Sequence, residues 1–140
     1  MRNVLAFLVQ AYYTIILAEA IRLDGKRLPV YDGMAPDSET GSYILISPDR
    51  TAVQVADKCT FAFNASILVD VVVKNGSFSL LDSDNIADVI AAAISTWRNP
   101  DVAYFQVVKT EATFSNLTGL NPTEPVFRTL IRYNHFIVQK

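Results

Sequence analysis

Fourteen residues from Thr60 to Val73 alternate with a period of two. Phe61, Phe63, Ala65, Ile67, Val69, Val71 and Val73 fall on one side, and Ala62, Asn64, Ser66, Leu68, Asp70 and Val72 on the other. Successive strand side chains point to opposite faces, so this spacing predicts a long strand with one wholly apolar face. A single strand cannot hide such a face. It needs partner strands beside it and a second layer above it. Asn75-Gly76 ends the run as a turn signal.

The remaining segments provide both. Ile86, Val89, Ile90, Ala93, Ile94 and Trp97 recur at spacings of three and four, which predicts a helix over about 84–98. Asp82, Ser83 and Asp84 offer N-cap chemistry before it, and Arg98-Asn99-Pro100 stops it. A second helix is predicted over about 3–23, because no charged residue occurs from Asn3 to Ala18 and apolar side chains cover most of its circumference. Asp24-Gly25 would end it, with Arg22, Lys26 and Arg27 near its negative pole. Two other readings of this run compete. A secretory signal would use Arg2 and a cleavage site at Ala18-Glu19-Ala20. A membrane anchor needs about 20 apolar residues, and this run is shorter and contains Asn3, Gln10 and Thr14. A helix buried in a core or a subunit interface fits best.

Leu28–Asp32 reads as a short extended segment and Gly33–Gly41 as a loop. Tyr43–Ile46 reads as a strand, Ser47–Arg50 as a turn and Thr51–Val55 as a return strand. Val102–Thr113 and Val126–Val138 are two further long strands, separated by the loop Phe114–Pro125. With no repeat, linker or low-complexity tract, the 140 residues read as one α+β domain. The expected architecture is a two-layer sandwich, a mostly antiparallel sheet of long strands packed against two helices.

Reactive chemistry is sparse. A single cysteine excludes an intrachain disulfide and a cysteine-based zinc or iron–sulfur site. A net charge of −2 and a pI near 5.2 argue against nucleic-acid binding as the main role. Cys59 and His135 could formally pair as nucleophile and base, but nothing supplies a third orienting group, and a lone histidine in an apolar strand is usually structural. Asp82-Ser83-Asp84-Asn85 opens like a calcium loop, yet Ile86 stands where that loop needs glycine and Ala93 where it needs glutamate. Asp32, Asp37 and Glu39 match no ligand spacing. There is no glycine-rich phosphate loop and no Gly-x-Ser-x-Gly elbow. Asn64, Asn75 and Asn116 head glycosylation sequons that read as coincidental, Asn64 falling in mid-strand. The expectation is no enzyme, no catalytic residue, no cofactor and no metal.

The chain is 51% hydrophobic and 19% charged, with a mean hydropathy of +0.24. That is more apolar surface than one small domain comfortably covers, and such surface normally meets another subunit. Contacts are expected at the two loops, from Tyr31 and Met34 at the first and from Phe114, Leu117 and Leu120 at the second.

The order of elements carries a resemblance. An apolar first helix precedes Leu28-Pro29-Val30-Tyr31-Asp32, a Pro/Gly loop and Ser42-Tyr43-Ile44-Leu45-Ile46. The strand Phe61–Val73, the helix Ile86–Trp97 and the closing strand Val126–Phe136 follow. Over nearly its whole length the chain resembles the small tail-completion and tail-terminator proteins of tailed bacteriophages, which build the neck between portal and tail. The resemblance implies an α+β subunit of a homo-oligomeric ring in the virion, assembled in the bacterial host cytoplasm. Its partners would be other neck, portal-side and tail proteins, with genome DNA passing through unbound and no membrane contact. A secreted or periplasmic binding domain with a cleaved N-terminal signal is the alternative.

Overall fold

The computed structural model describes residues 4–56, 61–74, 80–96, 101–102, 105–118 and 126–139. Its first element is helix α1 (Val4–Ala18). Val4, Leu8, Tyr12 and Ile16 are buried at intervals of four, and Leu5, Phe7, Val9, Ala11, Tyr13 and Ile15 flank them half-buried. Only a narrow stripe containing Ala6, Gln10 and Thr14 faces solvent. A wide apolar arc is what a helix lying in a groove of its own domain requires, which accounts for the uncharged run. No helix among the described residues is long and apolar enough to cross a membrane.

The helix is shorter than its predicted 3–23. The amides of Glu19 and Ala20 close onto the carbonyls of Ile16 and Leu17, and Ala20 takes the left-handed conformation (φ 48°) that ends a helix. A miniature hairpin follows, β1 (Arg22–Leu23) and β2 (Lys26–Arg27). Asp24-Gly25 is its turn rather than a helix cap, with positive φ at both residues (52° and 78°) as a type I′ turn demands. Arg27 still serves the helix end, its guanidinium donating to the Leu17 carbonyl at 3.1 Å.

The main sheet has six strands in the order β3-β4-β5-β8-β7-β6. These are β3 (Val30–Asp32), β4 (Tyr43–Ala56), β5 (Phe61–Val73), β6 (Asp101–Val102), β7 (Phe105–Thr118) and β8 (Phe127–Gln139). Every pairing is antiparallel except β3 with β4. Helix α2 (Leu80–Ser95) lies with α1 on one face. The two-layer α+β expectation therefore holds. Phe63, Ala65, Ile67, Val69, Val71 and Val73 of β5 are all buried beneath the helices, together with Ile131 and Ile137 of β8.

Three further boundaries differ from expectation. Ser47–Arg50 is no turn, because β4 passes straight through it and stays paired with β5 on both sides, absorbing Pro48 at a register shift between Pro48 and Arg50. Pro lacks a backbone N–H, and a bulge in a strand at the sheet margin tolerates that loss. Likewise β7 runs on to Thr118, so Phe114 sits in a strand, pairing with Ile131, and not in a loop. Helix α2 also begins earlier than predicted, at Leu80. Ser83 is thus a buried helical residue, not a cap, and its hydroxyl lies 2.9 Å from that of Thr129. The Thr129 hydroxyl also lies 2.8 Å from Asp84 Oδ1 and 3.1 Å from Asn116 Oδ1, two acceptors for its single proton. Trp97 lies outside the described residues.

Candidate assembly surfaces

Among the described residues, the histidine that could suggest chemistry is held by the fold. His135, 1% exposed, lies with Nδ1 2.9 Å from the Ala65 carbonyl and Nε2 2.6 Å from the Tyr12 hydroxyl. A carbonyl only accepts, so Nδ1 carries the proton and Nε2 accepts from Tyr12. Burial pushes the imidazole's pKa down, only partly offset by the bond to Ala65, and keeps the ring neutral. Burial likewise pushes the Tyr12 hydroxyl well above its ordinary value. Both ring nitrogens are occupied, so His135 is a structural histidine. Cys59 lies outside the described residues. No cluster of three or more His, Cys, Asp or Glu occurs among the described residues.

On the helix-free face, Asp70 is 6% exposed and receives a two-pronged bond from Arg128, from Nε at 3.2 Å to Oδ1 and from a terminal nitrogen to Oδ2. Asp49 accepts from Ser66 at 2.7 Å and pairs with Arg132, whose Nε is 3.1 Å away. Lys109 and Glu111 pair at 2.7 Å on the exposed part of β7. The first pair joins β5 to β8, the second joins β4 to β8, and the third lies within β7, so opposite charges are tied together over the face.

Of the five expected contact residues, Tyr31 is engaged within its own chain. Its hydroxyl donates to Glu39, which also accepts from the Gly41 amide at 3.0 Å, and its ring meets Tyr43 edge-on at 6.0 Å. The bond to Tyr31 is the main cause of the lowered Glu39 pKa. Met34 is 79% exposed and Phe114 50% exposed. Leu117 belongs to β7 by its backbone, and Leu120 lies outside the described residues. The structure does not bring Met34 and Phe114 together. They stand at opposite margins of the sheet, Met34 just after β3 and Phe114 on β7.

Each margin has an apolar groove. One of about 440 Å³ runs between α2 and β7, lined by Ala91, Ile94, Ala112, Phe114 and Tyr133 among others. The Tyr133 hydroxyl is buried without a hydrogen-bond partner among the described residues, and burial pushes its pKa up to about 12. The other groove, about 450 Å³, lies between α1 and the end of β3, lined by Leu5, Val9, Gly33 and Pro48 among others. Sequence reasoning missed Val108, 49% exposed beside a register shift in β7. Its neighbours Val107 and Lys109 read like any strand, so no local signal marks it.

The fold has known counterparts. A chain from the virion of a native gene transfer agent particle matches with a TM-score of 0.59 and 19% identity, over 96% of this chain and 99% of that one. A second solved structure matches with a TM-score of 0.49 and 17% identity, over 96% of each chain. No protein-family model matches the sequence. No curated protein matches it either.

Proposed function

We propose that this chain is a virion structural protein of a tailed phage or phage-like particle, acting as a ring-forming subunit of the neck or tail-completion layer. The observation that carries the reading is the end-to-end correspondence of its fold with a chain of the gene transfer agent virion. The subunit works by contact and not by catalysis. Its partners are further copies of itself and the neck, portal-side and tail proteins above and below, with genome DNA passing through unbound. The exposed Met34, Val108 and Phe114 support a role in assembly, since apolar side chains standing out at two separate margins suit a repeating contact.

The rival reading, a secreted domain lacking residues 1–20, finds less support. Removing α1 would strip Leu8, Tyr12 and Ile16 from the core and leave His135 without Tyr12. The test is native mass spectrometry with negative-stain imaging of the purified protein, alone and mixed with neck proteins. A closed ring of defined mass is expected. A strictly monomeric chain under both conditions would overturn the proposal.

A further inference from the structure

Among the described residues, both margins of the sheet lack a covering strand along part of their length. β3 covers β4 only at Ile44–Ile46, and the Gly33 amide adds one more bond to Ile46. Above that point no described strand pairs with the outer edge of β4. At the other margin, β6 covers only Phe105 and Gln106 of β7, and no described strand pairs with the edge beyond them. Unpaired strand edges present rows of N–H and C=O groups that seek another strand.

We infer that copies of this chain join head to tail through these two windows, with Ser47–Val53 of β4 in one copy lying beside Val107–Thr113 of β7 in the next. This rests on the ring-subunit reading above. Direction is the first support. Three successive antiparallel pairings separate β4 from β7, so the two strands run oppositely within one copy. A neighbour brought alongside without inversion therefore presents its β7 antiparallel to β4. Level is the second. The register links Asp32, Ile46, Val69, Ile131 and Phe114 into one transverse row. The Met34 amide folds back onto the Asp32 carbonyl at 3.0 Å, at one end of that row, and Phe114 stands at the other. Met34 of one copy thus arrives at the lower rim of the window, at the level of the groove between α2 and β7 of the next. Charge is the third. Another row links Arg50, Ser66, Asn134 and Glu111. It ends in opposite charges at the two margins, both largely exposed (side chains 72% and 62%). Arg50 lies 3.7 Å from Asp49 and Glu111 2.7 Å from Lys109 of the same copy, so the cross-copy attraction acts in competition with these exposed pairs. The contact is heterologous, so its repetition closes into a ring when the rotation per copy divides a full turn, which is the outcome the ring-subunit reading requires.

The row through Thr51, Ala65, His135 and Thr110 supplies the test. Thr51 and Thr110 are exposed on the helix-side face at opposite margins. In a Cys59→Ser background, Thr51→Cys is combined in turn with Thr110→Cys and Ala112→Cys, covering a stagger between copies. Oxidation of at least one pair is expected to give a ladder of covalent multimers ending at the ring mass, while each single variant stops at dimers. Arg50→Glu or Glu111→Arg alone should weaken self-association about tenfold by setting like charges together, and the double reversal should restore it. Rings of normal mass with no ladder from either pair overturn the inference and leave the ring reading standing. Failure of the unsubstituted protein to assemble, alone or with neck proteins, overturns both.

Discussion

The hydroxyl of Tyr12 donates to Nε2 of His135 across 2.6 Å, joining the middle of the first helix to the middle of the last strand. The same two rings meet edge-on at 5.4 Å, and Tyr12 also tilts against Tyr133 at 5.1 Å. One residue therefore fixes the helix layer on the sheet by ring packing and by a directed bond. Tyr12→Phe keeps the ring and removes the bond, leaving a buried imidazole nitrogen without its donor. The expected loss is about 1–3 kcal/mol of unfolding free energy, read from urea denaturation. An unchanged midpoint would mean that the bond contributes nothing net.

The same histidine sets a pH dependence. Its pKa in the folded chain lies below the ordinary 6.5, chiefly through burial. The unfolded chain therefore binds the proton first as pH falls, and stability declines below about 6.5 until the folded chain's own lower pKa is passed. The slope contributed by one such group is at most about 1.4 kcal/mol per pH unit. His135→Gln should flatten this part of the stability–pH curve. An equal slope in both proteins would place the proton uptake elsewhere.

The Asp70–Arg128 pair is asymmetric, with an almost fully buried carboxylate and an arginine whose side chain is 42% exposed. Arg128→Met strands the carboxylate and should cost about 2 kcal/mol, below the range for a fully buried pair because solvent reaches the arginine. Changing both residues together, with Asp70→Leu, should recover part of that loss. Thermal melts of the single and double variants check it.

Met34 and Phe114 predict a separation of stability from assembly. Met34→Glu changes a side chain that is 79% exposed, so the monomer's stability should stay within about 0.5 kcal/mol of the parent. Phe114→Ser also removes the half of the ring packed in the groove and should cost about 1–2 kcal/mol without unfolding the chain. Ring formation by light scattering should fall for both. A variant that assembles normally removes that residue from the interface.

Much of this fold was legible in the chain. The period-two run around Val69 and the spacing of Ile86, Ile90 and Ile94 report burial on one face, and burial is what chiefly holds both elements in place, although Val89 of the predicted apolar set is 45% exposed. The breaks were harder to read. Asp24-Gly25 follows an apolar run whether it caps a helix or turns a hairpin, and only the left-handed Ala20 upstream decides between them. Pro48 signals a turn locally, but pairing with a long neighbouring strand overrides that preference. Exposure was partly visible. Met34 in a Pro/Gly loop stands out in the sequence, whereas Phe114 looks like any strand residue until α2 is seen to stop short of covering it. The positions of Met34 and Phe114 on one row depend on register across five strands, which no local pattern encodes.

The interruption at Pro48 has a consequence for the chain on its own. An open, flat, hydrogen-bonding margin is a template for indiscriminate fibrillar growth. Here the missing N–H and the register shift beside it break the margin of β4 into short lengths with altered twist. A stray strand finds no long straight run to zip along. The same irregularity that makes the sequence look like a turn acts as a gatekeeper against growth by stray strands.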